Sequence, residues 1–177
     1  MAKVAVVYHS GYGHTKRVAE HVAKGAGAEL VAIDSEGNLT DAQWATLDAA
    51  DAIIMGSPTY MGMASWQFKK YADATSKKWF TGAWSDKLAG GFTCSASPSG
   101  DKLSTLQYMV TLSMQLGMVW IGQTTSNDGT LNRIGSYTGV MAQCGPQDPA
   151  DKIPQGDLDT AQAYGKRVAD YAAKLRG

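Results

Sequence analysis

Short, nearly continuous apolar runs alternate with amphipathic stretches along most of the chain, and that alternation leaves few folds open. Lys3–Tyr8 (KVAVVY), Glu29–Ile33 (ELVAI), Ala52–Gly56 (AIIMG), Lys87–Cys94 (KLAGGFTC) and Met118–Ile121 (MVWI) read as strands. They lack the polar alternation of a half-exposed sheet, so both of their faces are buried. Between them lie helical patterns. Thr15–Lys24 carries Val18 and Val22 four apart and stops at Gly25, and Thr40–Leu47 starts on a capping threonine. Ser65–Thr75 sets Phe68, Tyr71 and Thr75 on one side, and Lys102–Leu116 carries Leu103, Leu106 and Val110 as a stripe. Leu158–Arg176 places Leu158, Ala161, Val168, Ala172 and Leu175 at helical spacing. Strands alternating with helices predict a parallel sheet covered on both faces. The chain has 177 residues, which is one domain at about 100–200 residues each. The expectation is a five-stranded parallel α/β domain over residues 1–177. The polar Gly122–Gly145 stretch is an insertion interrupting or following the fifth strand.

Charge and cysteine content remove several classes of function. Sixteen Lys and Arg against sixteen Asp and Glu give a formal net charge of zero, without the basic excess that phosphate contacts demand, so nucleic acid is not an expected partner. Two cysteines are too few for a disulfide scaffold or a four-ligand zinc site. No run approaches the ~20 apolar residues of a membrane span, and Val4–Tyr8 is too short for a secretory core. A cytoplasmic protein without a membrane partner is the expectation.

Open parallel sheets bind ligands at the carboxyl ends of their strands, so the loops there carry the functional argument. The first is His9-Ser10-Gly11-Tyr12-Gly13-His14-Thr15. Small and hydroxylated residues at a helix start leave backbone N–H groups free for an anion, typically a phosphate. Neither G-x-x-x-x-G-K-[ST] nor G-x-G-x-x-G is present, which leaves a monophosphate held by neutral donors. The loop after the third strand, Gly56-Ser57-Pro58-Thr59-Tyr60-Met61-Gly62-Met63, projects side chains that could line a flat aromatic ligand. The loop after the fourth, Cys94-Ser95-Ala96-Ser97-Pro98-Ser99-Gly100-Asp101, could bond the polar edge of a ring. One ligand could touch all three.

The opening AKVAVVYHSGYGH, with its S-x-Y-G-H loop, and the segment DAIIMGSPTYMG resemble the flavodoxin-like superfamily. Within it the chain is similar to WrbA-type NAD(P)H:quinone oxidoreductases and to flavodoxin-family FMN reductases. KKWFTGAWSDKLAGGF and Gly117-Met118-Val119 extend the similarity to nearly the whole chain. The resemblance implies FMN as cofactor. Ser10, Gly11, Tyr12, Gly13, His14 and Thr15 would hold the phosphate. Pro58, Thr59, Tyr60, Met61 and Gly62 would lie at the isoalloxazine. Cys94, Ser95, Ala96, Ser97, Pro98 and Ser99 would line its pyrimidine side. Tyr12 and Trp79 match positions near nicotinamide or quinone. The implied activity is transfer of two electrons from NAD(P)H to a quinone or flavin acceptor by ping-pong hydride transfer, in a homo-oligomeric dimer or tetramer. A flavodoxin-type electron carrier and an NAD(P)H-dependent FMN reductase are the alternatives. Carriers usually present an acidic surface, and this chain's zero net charge argues against that reading.

The sequence departs from the family in three places, one of them a segment after the second strand that is shorter than in WrbA-type proteins, which use neighbouring segments in tetramer contacts. The fourth loop reads CSASPSG where the family has S-T-G-T-G-G, and Pro98 removes a donor there. A family histidine near the end of the fourth helix stands as Gln115. No protein nucleophile is expected, because the flavin carries the chemistry. His14 reads as a helix-start or surface residue rather than a proton donor, and Cys94 as a small buried strand residue rather than a redox thiol.

Overall fold

The computed structural model describes residues 2–175. The helix expected over Leu158–Arg176 therefore has its last residue outside the described residues. The strands are β1 (Val4–Tyr8), β2 (Glu29–Ala32), β3 (Ala52–Tyr60), β4 (Met63–Ala64), β5 (Leu88–Ser95), β6 (Val119–Trp120) and β7 (Val140–Gln143). The helices are α1 (His14–Ala26), α2 (Asp41–Ala49), α3 (Trp66–Ala74), α4 (Ser76–Thr81), α5 (Lys102–Gln115) and α6 (Gln155–Leu175). The sheet order is β2-β1-β3-β5-β6, and every pairing along it is parallel.

Three departures from the expected strands matter for the site. The third strand continues four residues past Gly56 to Tyr60 and turns back into β4 through a tight hairpin. Met61 and Gly62 make that turn at φ 48° and 78°. The fifth lane of the sheet is split: β6 pairs β5 at Leu88↔Val119, and β7 pairs β5 further along at Phe92↔Val140. The polar insertion thus interrupts the strand, and its second half returns to the same edge. The third departure is α4, a six-residue helix that the hydrophobic pattern does not announce.

Strand residues of alternate parity feed two cores, because side chains flip faces every residue. Val4, Val6, Tyr8 and Ile54 pack with Val18, Val22, Leu158, Tyr164 and Val168 beneath α1 and α6. Ala5, Val7, Ile53 and Met55 pack with Leu47, Phe68, Tyr71, Trp84, Leu106 and Met109 beneath α2, α3 and α5. On the first face, α1 and α6 come into backbone contact. A Cβ at Gly25 would lie 1.9 Å from the Gln162 carbonyl oxygen, and one at Gly165 would lie 2.0 Å from that of Val22. This close crossing fixes where α1 begins, and the start of α1 is the site's anchor.

Candidate functional site

Loops from β1, β3 and β5 converge on one cleft of about 400 Å³ at the carboxyl ends of the strands. Ser10, Tyr12, His14, Thr15, Pro58, Thr59, Tyr60, Cys94, Ser95 and Ala96 line it. Ligand clefts usually span about 300–1,000 Å³, and this one is of that size. A wider cleft of about 880 Å³ lies beyond the 95–101 loop, against Pro98, Ser99, Arg133 and Tyr137. The loops after β1 and β3 do not reach it, so it lacks the convergence of strand ends that marks the smaller one.

The floor is built around an open helix end. Gly13 precedes α1 at φ 90°, and α1 takes no side-chain cap from it. Ser10 Oγ turns inward and accepts from the N–H groups of Gly13 and Lys16, each at 3.1 Å. The first-turn N–H groups of His14 and Thr15 take no side-chain partner, so the positive end of the α1 dipole faces the cleft. His14 Nε2 bonds the Asp148 carbonyl at 2.6 Å, which ties the segment after β7 to the helix start.

Buried hydroxyl chains hold the walls. Thr59 Oγ1 lies 2.8 Å from both Thr93 Oγ1 and Thr105 Oγ1, joining β3, β5 and α5 behind the lining. His9 Nδ1 bonds Ser65 Oγ at 2.8 Å, and the Ser65 N–H donates to Ser57 Oγ at 3.0 Å, joining β1 to the β3–β4 hairpin. Burial lowers the pKa of His9 and so favours its neutral ring. The rim is aromatic. Tyr12 and Tyr60 meet edge to face with centroids 6.2 Å apart, and Tyr12 is 77% exposed. Burial, then the neighbouring Tyr12, pushes the Tyr60 phenol above its ordinary pKa.

The expected site residues fall into three groups. Ten line the cleft, as named above, and Gly11 and Gly13 shape the loop that carries them. Met61 and Gly62 form the hairpin tip, where Met61 projects fully into solvent. They leave the cleft because β3 runs on to Tyr60 before turning. Ser97, Pro98 and Ser99 are exposed on the outer side of their loop, and Pro98 and Ser99 face the wider cleft instead.

Trp79 does not line the cleft of its own chain. It sits 57% exposed on α4, which the Lys78–Asp48 ion pair at 2.6 Å ties to the last turn of α2, where the chain re-enters the amino end of β3. Gln115 ends α5 just before the amino end of β6, also opposite the cleft. The lining further includes Cys144, Pro146 and Gln147, which sequence reasoning missed. Their signal was positional: once the fifth lane is seen as split, they follow its true carboxyl end.

The donor set suits a phosphate bearing a flat ring, and it does not suit a metal. Among the described residues no cluster of His, Cys, Asp and Glu could hold an ion. Cys94 is almost fully buried, and burial pushes its thiol up to about 12, so it persists as a neutral thiol at neutral pH. No described helix is long and apolar enough to cross a membrane.

Comparison with known proteins agrees with this geometry. A flavodoxin, FldP, of Pseudomonas aeruginosa is 49% identical, with 99% of each chain covered. An NAD(P)H dehydrogenase (quinone) of Geobacter sulfurreducens is 34% identical over 98% of this chain and 99% of its own. The crystal structure of a WrbA-like flavodoxin of Agrobacterium tumefaciens superposes with a TM-score of 0.84 at 54% identity, covering 98% of this chain and 99% of that one. The family described as NADPH-dependent FMN reductase matches residues 2–130. With the parallel sheet and this extent of similarity together, the chain belongs to the NADPH-dependent FMN reductase family, with a flavodoxin-like fold.

Proposed function

We propose that the protein is an FMN-dependent oxidoreductase that takes two electrons from NAD(P)H and passes them to quinones, with FMN seated in the three-loop cleft. One observation carries the reading: the loops after β1, β3 and β5 meet at a helix start where Ser10 Oγ takes only the Lys16 N–H of the first turn, leaving those of His14 and Thr15 without a side-chain partner. The phosphate would sit against the N–H groups of His14 and Thr15, with the Ser10 hydroxyl beside it. Thr59, Tyr60, Ser95 and Ala96 would flank the ring, and Tyr12 would cover its open face. Met61, Gly62, Ser97, Pro98 and Ser99 lie outside the lining of this cleft. FMN, when bound, supplies the hydride acceptor and donor.

The protein's own residues supply position and exclude water. The Thr59 hydroxyl, bonded to those of both Thr93 and Thr105, fixes the wall against which a flat ring would lie, and so would hold a bound flavin in place for hydride exchange with a nicotinamide. Offset stacking on Tyr12 or Tyr60 contributes about 0.5–1.5 kcal/mol per ring pair and does not discriminate among flat acceptors. One slot for donor and acceptor in turn implies ping-pong kinetics. Trp79 and Phe80 lie exposed side by side on α4, and for Trp79 to act at a flavin cleft it would have to come from a second copy, so a homo-oligomer is part of the proposal.

The relative named a flavodoxin favours a second reading, a one-electron carrier. Titration of the apo-protein with FMN, followed by anaerobic mixing with NADH or NADPH and then a quinone, separates the two. Direct bleaching of the flavin by a nicotinamide, with parallel-line initial-rate plots, supports the enzyme. Tight FMN binding without bleaching, together with a stable one-electron form on photoreduction, overturns it in favour of the carrier.

A further inference from the structure

A buried lysine stands directly behind the cleft wall and has no role in the reading so far. Lys102, the first residue of α5, is completely buried. Its Nζ donates to the Ser97 carbonyl at 2.6 Å and to Ser95 Oγ at 3.2 Å, and Ser95 lines the cleft. Among the described residues no carboxylate lies within ion-pair distance of Lys102. The acidic group nearest in influence is Asp157, and it is already engaged. Asp157 pairs with the Arg133 guanidinium, whose Nε lies 2.8 Å away, and accepts hydrogen bonds from Arg133 Nη2 and from the Gln143 N–H, each at 2.9 Å. Cys94, also beside Lys102, remains a neutral thiol. The charged groups that act on Lys102 are therefore one further cation, Arg133, and one carboxylate, Asp157.

Lysine is almost never fully buried without a partner, and an unmatched buried ammonium costs several kcal/mol even after relaxation. Burial lowers the Lys102 pKa, with Cys94 and Asp157 opposing the shift and Arg133 adding to it. Two neutral oxygens repay only part of that cost. Holding the 95–97 turn does not itself require a charge, since a glutamine of similar length also donates to a carbonyl. On the Ser95–Ser97 side, away from where the phosphate would sit, the cleft lining holds no carboxylate, and hydride transfer would bring a negative charge to the ring. When a hydride passes from the nicotinamide to neutral oxidised FMN, the nicotinamide becomes a pyridinium cation and the flavin ring gains one negative charge.

Resting on the FMN reading above, we infer that Lys102 is the built-in counter-charge for the reduced, anionic flavin, acting through the Ser95–Ser97 turn that separates it from the cleft. It is a positioning residue for charge and makes no contact with substrate. It favours the two-electron reduced state over the oxidised one.

The test uses Lys102→Gln, which keeps a donor to the turn, together with Lys102→Met and Lys102→Arg. The midpoint potential of bound FMN is measured by dye equilibration from pH 5.5 to 9, alongside the affinity for oxidised FMN. In Lys102→Gln the reduced form is expected to lose about tenfold in affinity relative to the oxidised form. That is a fall of about 30 mV in a two-electron potential. The pH at which the reduced flavin takes up its proton rises by about one unit. Lys102→Arg keeps the wild-type potential. FMN binding to Lys102→Gln with unchanged potential and unchanged pH break overturns the inference and leaves Lys102 as a structural tie. If Lys102→Met does not fold, Lys102→Gln alone decides. Failure of the wild-type protein to bind FMN overturns the FMN reading itself, a separately visible result.

Discussion

At the scale of single residues, the site depends more on backbone than on side chains. Gly13 shows why. A Cβ there would meet nothing nearer than Ala150 Cβ at 3.8 Å, so space does not forbid a side chain. The conformation does: at φ 90° an L-residue is strained by about 1–3 kcal/mol unless the loop rearranges. Rearrangement would turn the first-turn N–H groups away from the cleft. Gly13→Val is therefore expected to weaken FMN binding by about 5- to 150-fold with a near-native fold, checked by fluorescence titration and circular dichroism. Unchanged affinity would mean that the phosphate sits elsewhere. Ser10 makes a related point. Its hydroxyl accepts from Gly13 and Lys16 and so preserves the loop that presents the free N–H groups. The small residues of the first loop pointed to a helix start with free N–H groups because these constraints are local to a few residues. Lys102 was not legible, because nothing local distinguishes a buried lysine from the solvated lysines that open many helices.

Among the elements, what could be read depended on how burial is achieved. Strand β1 and the first half of β3 were plain because both faces are covered and the apolar runs are unbroken, while β5 was readable despite its two glycines because its other residues are apolar or small. The extension of β3 was hidden by Pro58, which lacks an N–H and argues against a strand, yet pairs in register with Cys94. Helix α4 (SKKWFT) has no buried residue and owes its place to tertiary ties, Lys78 to Asp48 and Trp84 Nε1 to Asp48 at 2.8 Å. The split fifth strand was half legible. Its polar insertion is held by side-chain bonds such as Gln123 Nε2 to Asn132 Oδ1 at 2.9 Å, which no periodicity reports. The α1–α6 crossing gives an element-scale test. Gly→Ala in a helix interior normally gains about 0.5–1 kcal/mol. At Gly165 the new methyl would press on the Val22 carbonyl, a backbone atom that cannot swing aside. Overpacking of about 1–3 kcal/mol then outweighs the propensity gain. Gly165→Ala is expected to lower Tm by roughly 2–8 °C. A rise in Tm would show that the helices are free to part.

For the whole molecule, the two cores on either side of the sheet imply an asymmetric response to pH. Tyr71 and Tyr164 are fully buried, one in each core, and burial raises both phenols above their ordinary pKa. Cys94, beneath the cleft, is raised from 9.0 to about 12. In all three the protonated form is favoured by folding. Their contribution is complete below the pKa of the unfolded chain and is lost as pH rises toward the folded value. For Cys94 that window runs from about pH 9 to about 12. Across it the unfolded chain has released a proton that the folded one retains, so stability falls by roughly 1.4 kcal/mol per pH unit. The tyrosines add to the decline from pH 10 upward. Urea unfolding in the presence of a reductant at pH 8, 9, 10 and 11 measures this slope. The wild-type protein is expected to lose stability steeply above pH 9. Cys94→Ala, although less stable at pH 8, is expected to decline more gently between pH 9 and 11. Parallel slopes for the two proteins would mean that Cys94 titrates as an exposed thiol, and the closed packing at the carboxyl end of β5 would have to be abandoned. Because Lys102 lies against the same end of β5, that result would also remove the dry surroundings that give its charge long reach.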